Sequence, residues 1–473
     1  LAGLDPGKYL PAVASSVQTL GQYSLEVLLF LGFLIASRHG FERKAVRLFQ
    51  GREGRHEAVA VFIRVRDSLE RYLWIQTVCG GLIAVGSWLL MMAIGLQDAF
   101  FWAFLIFVLN QIAGEFGTTR GVVALATTLT LAFRPLGAFI FGRMADKYGR
   151  RPILMLNIAI YSIFSASTAF VPDLTSFFIV RSLFGIGMGG VWGIGASLSM
   201  ETINPKARGF VSGLLQSGYC SGYLIASAVF ALLFVHVGWR GIFLVGLIPS
   251  LLLIPYVYFV VQESPVYHEK PRKPVSTFKV LRDNWKLSLY AIIMMTAFNF
   301  FSHGSQDFYP NYMEHRGFTP ALLGTIAIIY NIGGIIGCWL VASLSQKYGR
   351  RRTMIVAALL AIPTILPWAF SPDVMLIIIG TVGINFFVQG CWSVIPAHLN
   401  ELSPAGARGT FPGTVYQLGN LFASGCLPIQ IWVQESTGNY GVALACVPLL
   451  AAVIISLMLW KGPEAHGVDM TTH

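Results

Sequence analysis

The chain has 473 residues, of which 55% are hydrophobic and only 12% are charged. Soluble proteins carry about a quarter charged residues, so this composition excludes an ordinary water-soluble domain and predicts a helical protein that crosses a lipid bilayer many times. The net charge of +11 does not indicate nucleic-acid binding, because the basic residues cluster in short loops between apolar segments. The sequence shows no nucleophile–base pair, phosphate loop or metal-ligand cluster, so we expect no enzyme, no metal and no other cofactor.

The first 95 residues form an amino-terminal appendage with its own pattern. A short apolar segment and an Arg-rich stretch precede a full apolar helix at 74–95, and the run Arg71–Thr77 resembles the autoinducer-2 exporter family. The run Leu96–Asn110 fits that family too, and it also fits the start of the first of the twelve spans described below. The orientation of the later spans would leave the Arg-rich stretch outside the cell, against the positive-inside rule. We therefore interpret the appendage as an exporter-like fragment joined near 97–112. A natural fusion, an interfacial helix and a non-spanning hairpin remain alternatives.

Twelve apolar segments follow in two groups of six. They cover 97–113, 121–142, 153–171, 174–199, 209–234 and 240–261, and then 285–309, 319–343, 353–370, 373–399, 409–432 and 438–460. Basic residues cluster in every second loop, which places those loops and both chain ends in the cytoplasm. We predict two six-helix halves, 96–262 and 285–473, joined by a cytoplasmic linker at 263–284.

An internal repeat with a period of about 200 residues relates the two halves. Lys147–Arg151 recurs as Lys347–Arg351, and Glu201 recurs as Glu401. Parallel repeats of a membrane bundle place a binding site between them, near the middle of the bilayer.

The loop after the second span carries the pattern Gly-x-x-x-Asp-Lys-x-Gly-Arg-Arg, whose members are Gly142, Asp146, Gly149, Arg150 and Arg151. This loop resembles a signature of the major facilitator superfamily, and the resemblance covers about 97–460. It implies an all-α membrane protein with a twelve-helix bundle of two six-helix halves, here with extra amino-terminal helices. We expect the loop residues and Arg208 to act as a conformational switch. Plain charge topology is the alternative, and it explains the basic residues but not Asp146.

Five polar residues of the seventh span share one helix face within roughly 140°: Asn299, Ser302, His303, Gln306 and Asp307. Titratable groups are costly in a membrane helix, so this face must line a water-filled path, and it suggests proton handling. The face, together with Thr128–Gly137 and Gly213–Tyr219, resembles the sialate and lactate proton-symporter branch of the superfamily. The resemblance implies proton-coupled uptake of a small carboxylate such as lactate, pyruvate or sialate.

Arg134 is the positive charge in the middle of the second span, and we expect it to hold the substrate carboxylate by two parallel hydrogen bonds. A structural ion pair is the alternative. His303 titrates near neutral pH, and Asp307 can orient it or share its proton, so we assign proton coupling to this pair. A satisfied polar network that fixes helix packing is the alternative for both.

Neutral polar side chains complete the expected substrate site: Asn299, Ser302, Gln306, Gln216 and Gln417. The two halves each supply a glutamine, because Gln216 and Gln417 are near-equivalent in the repeat. Packing between helices is an equally good explanation for these two amides.

Two positions depart from the symporter branch, whose bacterial members carry acids where Phe101 and Val191 stand here. A non-transporting carboxylate sensor or an impaired chimeric transporter therefore remains a rival. The amino-terminal resemblance leaves an exporter of small signal molecules as another. We expect a monomer that spans the cell membrane (inner or plasma membrane) and meets lipid, protons and a small carboxylate, while the identity of the acid and the direction of transport stay open.

Overall fold

The computed structural model describes residues 112–268, 277–318, 320–404, 406–468 and 470. All of them belong to one compact unit, Ile94–His473. The predictions for the amino-terminal appendage, for the join and for Phe101 lie outside the described residues.

The described part of the first repeat unit is helical throughout. It contains α1 (Arg120–Tyr148), α2 (Arg150–Ser167), α3 (Leu174–Gly189), α4 (Val191–Thr202), α5 (Arg208–Val245), α6 (Ile248–Val260) and the short α7 (Pro265–His268). Side-chain caps begin two of them: Thr119 accepts a hydrogen bond from the Val122 amide, and Asp173 from the Ser176 amide. Before α1, residues 112–115 are the end of a further helix.

The second repeat unit contains α8 (Thr277–Asp283), α9 (Trp285–Gln306), α10 (Tyr309–His315), α11 (Pro320–Tyr348), α12 (Arg350–Phe370), α13 (Val374–Ser393), α14 (Ile395–Leu402), α15 (Phe411–Phe422), α16 (Cys426–Thr437) and α17 (Tyr440–Lys461). The repeat relates α1 to α11, α2 to α12, the pair α3–α4 to α13–α14, and α6 to α17. The predicted repeat therefore appears in the order of the helices, and α1 and α11 are both 29 residues long.

Nine segments of the described residues are long and apolar enough to cross a membrane. Several expected spans are interrupted. The seventh ends at Gln306 and resumes at Tyr309, and the eleventh is broken by a 3₁₀ turn at Ala423–Gly425. Helix α5 runs past the expected loop near residue 235 and bends at Gly238, whose φ of 63° only glycine adopts readily. Helix interruptions at membrane depth occur in proteins where they line a cavity or are buried.

Apolar side chains cover the outer surface of the bundle. Phe259 is 80% exposed and Leu252 is 71% exposed, whereas the polar side chains of Asn299 and Gln417 are buried. A soluble protein shows the opposite distribution. The outer surface of the bundle is therefore suited to contact with lipid, and these polar side chains lie in the interior.

The two repeat units touch through backbone at the end of the bundle that carries Lys147, Lys206 and Lys347, here called the basic end. A Cβ atom at Gly193 would lie 2.5 Å from the Gly413 Cα, and one at Gly142 would lie 2.7 Å from the Thr410 Cα. Contacts this short leave no space between the units. The bundle is therefore closed at the basic end, which the positive-inside rule assigns to the cytoplasm.

Candidate substrate and proton site

The polar face of α9 forms a chain of hydrogen bonds. His303 Nδ1 lies 3.0 Å from Asp307 Oδ2, and Gln306 Nε2 donates to Ser302 Oγ at 3.0 Å. Asp307 is the C-cap residue that follows α9, and its backbone N–H donates to the His303 carbonyl. The one-turn spacing predicted from the sequence therefore brings the acid and the imidazole together.

Asn299 differs from the other members of this face. It is 3% exposed, and its side-chain amide donates to the Met295 carbonyl of its own helix at 2.7 Å. That contact uses one of its two amide protons and leaves its oxygen for another partner.

Asn420 of α15 contacts the other side of the imidazole. Its Oδ1 lies 3.1 Å from His303 Nε2, across a sequence separation of 117 residues. Both ring nitrogens thus face acceptor oxygens, and only the imidazolium form donates from both. A neutral ring would require the Asn420 amide to turn and present its NH₂ group. The arrangement couples the protonation state of His303 to the position of α15.

Sequence reasoning missed Asn420, although a signal was present. It lies three residues after Gln417, so both side chains occupy one face of α15. The polarity of an amide in an apolar span gave no indication of its partner, because the partner is on another helix.

Arg134 lies within electrostatic range of His303. Its Nε is buried and has no hydrogen-bond partner in the described part of the chain, where no carboxylate pairs with it either. The helix around Arg134 is held close to α3, since a Cβ atom at Gly189 would lie 2.0 Å from the Arg134 carbonyl oxygen. The guanidinium thus lies within electrostatic range of the histidine, and its Nε–H is available to donate a hydrogen bond.

Gln417 crosses between the repeat units. It is 1% exposed, and its Nε2 donates to the Gly189 carbonyl of α3 at 3.3 Å. Gln216 is buried on α5, whose main neighbours in the second unit are α11 and α13. Gln417 lies near Arg134, because the Gly189 backbone that it contacts packs on the Arg134 carbonyl. Gln216 lies on a helix that faces α11 and α13 instead.

Three aromatic side chains, here called the aromatic layer, pack together between this polar group and the basic end. Trp192 of the first unit packs on Tyr416 of the second with ring centroids 4.5 Å apart, and Trp392 meets Tyr416 edge-on at 5.7 Å. Trp392 also donates its indole N–H to the Phe298 carbonyl at 3.0 Å. The residue after Trp192 is Gly193, whose backbone meets that of Gly413. On α15, Tyr416 lies between Gly413 and Asn420, so the aromatic layer stands between the site and the basic end.

Asp146 links the units at the basic end. Its carboxylate accepts hydrogen bonds from the Gly409 amide at 2.7 Å, from the Thr410 amide at 3.1 Å and from the Thr410 hydroxyl at 2.7 Å. These amides precede α15, where a negative charge meets the positive end of the helix dipole. Arg150 pairs with Asp146 at 3.1 Å and with Glu201 at 3.0 Å.

The second unit repeats this arrangement with an amide in place of the acid. Gln346 accepts a hydrogen bond from the Gly209 amide at 2.9 Å, and its Nε2 donates to the Pro205 carbonyl at 3.0 Å. Arg350 pairs with Glu401 at 3.0 Å, as Arg150 does with Glu201. We call the contacts of Asp146 and Gln346 the inter-unit latches.

The other members of the loop signature hold helix ends in place. Gly149 has a φ of 102°, which lets Glu263 approach and accept hydrogen bonds from the backbone amides of Arg150 and Arg151 at 2.9 Å and 3.1 Å. The Arg151 guanidinium binds carbonyls at the end of α6, and Arg208 donates to the Met200 carbonyl at 3.0 Å. These contacts are structural, and a role in switching remains a prediction.

Arg181 lies on α3, and Val191, where the symporter branch carries an acid, begins α4. Arg181 stacks over the rings of Phe184 and Phe243, with its guanidinium carbon 4.3 Å and 5.6 Å from their centroids, which is a scaffold contact. Val191 is the first residue of α4 and brings no charge to the site.

Residues 83–428 match the profile of the Major Facilitator Superfamily. The chain belongs to this family. Its members are transporters, so the protein is a multi-pass protein of the cell membrane and not an enzyme. The profile begins at residue 83, inside the segment that the sequence assigned to the amino-terminal appendage. The exporter-like origin of that segment remains a hypothesis.

Named relatives and a solved structure agree with this placement. The chain is 26% identical over 374 residues to the sialic acid transporter NanX of Escherichia coli (strain K12), covering 78% of this chain and 91% of that protein. It is 28% identical over 330 residues to a carboxylic acid transporter protein homolog of Saccharomyces cerevisiae (strain ATCC 204508 / S288c), covering 64% of this chain and 53% of that protein. The proton:xylose symporter XylE superposes with a TM-score of 0.62 over 83% of this chain and 98% of its own, at 18% identity, which supports the twelve-helix fold.

Proposed function

We propose that the protein is a secondary active transporter that moves a small carboxylate together with a proton. The observation that carries the proposal is the position of His303 between Asp307 and Asn420, with Arg134 in electrostatic range. Relatives named for sialic acid and carboxylic acid transport support the same substrate class.

The charges of three side chains explain the coupling. With His303 protonated, Arg134, His303 and Asp307 together carry one net positive charge, which matches one substrate carboxylate. With His303 neutral, the three groups carry no net charge, and a bound anion is left uncompensated. Because uncompensated charge is costly inside a membrane, proton binding and acid binding favour one another.

Transport then requires that the site open to each side in turn. The inter-unit latches and the aromatic layer close the basic end, whereas the side chains of His303 and Asp307 are 32% and 37% exposed. We assign this arrangement to the state in which the site is reached from the outer side. Separation of Trp192 from Tyr416 and release of Asp146 from α15 would expose it to the cytoplasm.

The test is uptake by the full chain in liposomes with an imposed pH gradient. Labelled lactate, pyruvate and sialate are offered on the acidic side, and we expect accumulation of at least one that a protonophore abolishes. One proton per monocarboxylate makes the cycle electroneutral, so a potassium diffusion potential alone should not drive uptake. If none of the three acids shows gradient-dependent uptake, the coupling proposal is wrong.

The variant His303→Ala separates coupling from binding. We expect it to lose accumulation against a gradient while it still exchanges labelled for unlabelled acid. The matched control is His315→Ala, because His315 stacks on Tyr440 with centroids 3.9 Å apart and lies outside the site. Wild-type accumulation by His303→Ala would assign His303 to helix packing.

A carboxylate sensor is the second candidate, and Val191 favours it, since an acid usual in the symporter branch is missing there. Binding of an acid without exchange across the membrane would identify a sensor. An exporter, suggested by the amino-terminal residues, is tested by deleting residues 1–95: unchanged uptake would show that the appendage is dispensable.

A further inference from the structure

The chain returns to the basic end after its last helix. Helix α17 ends at Lys461. The backbone carbonyls of the segment that follows accept hydrogen bonds from two arginine side chains. Arg208 Nη1 donates to the Val468 carbonyl, and Arg408 Nη1 donates to the Met470 carbonyl. Arg208 begins α5 of the first unit, and Arg408 precedes α15 of the second. The segment is thus bound by the two units at once.

The acid between these arginines binds the same segment. Glu401 pairs with Arg350 at 3.0 Å, lies 4.0 Å from Arg208, and accepts a hydrogen bond from the Gly467 amide at 3.4 Å. Glu401 is 5% exposed, so these interactions are little weakened by water. A neutral backbone segment therefore completes a buried charge network that spans the two units.

Met470 closes the arrangement with apolar contact. It is 1% exposed and forms one cluster with Met200 of α4, Val266 of α7 and Ala397 of α14. Met200 and Val266 come from the first unit and Ala397 from the second. The segment after α17 is thus held by side chains of both units.

We propose that residues 462–468 and Met470, here called the strap, hold the two units together at the basic end and must leave this position before the site opens to the cytoplasm. The proposal rests on the alternating-access function proposed above. Opening moves α5 and α4 away from α14 and α15, so the partners of Val468 and Met470 separate. The strap continues from α17 and follows the second unit, so its contacts with Arg208 and Met200 of the first unit are lost. The strap therefore stabilises the closed state against the open one.

The test measures the distance between the units without any substrate. Spin labels at Lys206 and Lys347, exposed residues of opposite units beside the Gln346–Pro205 contact, report opening by pulsed electron spin resonance. Loss of a buried methionine side chain should raise the ratio of open to closed molecules about tenfold in Met470→Ala. Deletion of residues 463–473 should raise it at least as much. The matched control, His466→Ala, changes an exposed strap residue and should leave the ratio unchanged.

A disulfide provides the converse measurement. Cysteines at Met200 and Met470 join the strap to the first unit in a full-length chain, and we expect oxidation to abolish the open population and reductant to restore it. Unchanged distances in Met470→Ala and in the deletion, or an open population that persists in the oxidised protein, would overturn the strap. Since no acid is present, failure of acid uptake would count against the proposed function and not against the strap.

Discussion

Asp146 and Gln346 occupy equivalent positions of the two repeats, and each accepts a hydrogen bond from the backbone amide of an equivalent glycine in the opposite unit. Asp146 binds Gly409 at 2.7 Å, and Gln346 binds Gly209 at 2.9 Å. One inter-unit latch therefore carries a charge and the other is neutral. A charged acceptor forms the stronger hydrogen bond, so the latch at α15 should dominate closure of the basic end.

Replacing Asp146 with Asn should weaken that latch. Asn keeps one acceptor but presents an NH₂ group to the amides of Gly409 and Thr410, which can only donate, so about 1–3 kcal/mol of the closed state's advantage is lost. We expect the open population at the basic end to rise at least about fivefold, measured as the rate at which a thiol reagent modifies a cysteine that replaces Ser197, which is buried between the units.

The matched control for this prediction is Asp173→Asn. Asp173 also accepts a hydrogen bond from a backbone amide at a helix start, Ser176 at 2.9 Å, but it lies on the exposed surface and contacts one unit only. Equal modification rates in Asp146→Asn and the wild type would show that the latch does not limit opening.

Arg134→Lys should weaken acid binding although it keeps the charge. A lysine ammonium cannot form two parallel hydrogen bonds with a carboxylate, and we expect the dissociation constant for the transported acid to rise at least about tenfold. Titration calorimetry with the purified protein measures it. Arg181→Lys is the control, because Arg181 stacks on Phe184 away from the site, and its affinity should match the wild type. The same affinity in Arg134→Lys would favour a structural role for Arg134.

Asn420→Leu should impair proton-driven uptake. Leu has a similar volume but no acceptor, so the second N–H of a protonated His303 is left without a partner at a cost of about 1–3 kcal/mol. We expect initial uptake under a pH gradient to fall at least about tenfold, while acid exchange at equal pH falls less.

A suitable control for Asn420 is Asn385→Leu. Asn385 is buried on α13 and donates to the Tyr330 carbonyl at 2.7 Å, so the change removes a buried amide of the same kind from another place. Uptake is compared per folded molecule. Equal losses of uptake and exchange in Asn420→Leu would assign Asn420 to packing alone.

Glu115 should make a small pH-dependent contribution to stability. The hydrogen bond from Arg240 lowers the pKa of Glu115 below its ordinary value, so the folded chain binds this proton less readily than the unfolded chain. The contribution is present above the ordinary pKa and is lost as the pH falls through the lowered value. The side chains of Arg240 and Glu115 are 34% and 42% exposed, so Glu115→Gln should lower the free energy of unfolding at neutral pH by less than about 1 kcal/mol.

Thermal unfolding at neutral and at acidic pH measures this effect. The difference between Glu115→Gln and the wild type should disappear in acid. Glu435→Gln, an exposed carboxylate at the end of α16, should show no difference at either pH. If Glu115→Gln is still less stable than the wild type in acid, the loss of stability is due to the shape of the side chain and not to its charge.

The predicted polar face of the seventh span illustrates how far sequence reasoning reached. Residues one turn apart on a helix must be neighbours, so the contact of His303 with Asp307 followed from spacing alone. Ser302 and Gln306 have the same one-turn spacing, and the structure joins them although the sequence assigned both to the substrate. Sequence reasoning could not find Asn420, because that contact depends on how α15 is rotated and placed against α9, and no local rule sets either.

The boundaries of the spans were likewise predicted in part from the sequence and in part decided by the tertiary structure. Hydropathy located the apolar segments, since a bilayer demands about 20 apolar residues in a row. It did not reveal the breaks at Asp307 and at Ala423–Gly425, because unpaired backbone groups are tolerated there through tertiary contacts.

The sequence by itself determined the repeat, the helical membrane class and the identity of the polar residues. The cost of burying charge in lipid restricts where polar residues can occur, so their pattern is visible in the order of the residues alone. Only the tertiary structure decided which of these residues meet: His303 with Asn420, Trp192 with Tyr416, and Glu401 with the strap. Such contacts join helices far apart in the chain. They are set by the packing of whole helix surfaces, which is a collective property of the bundle.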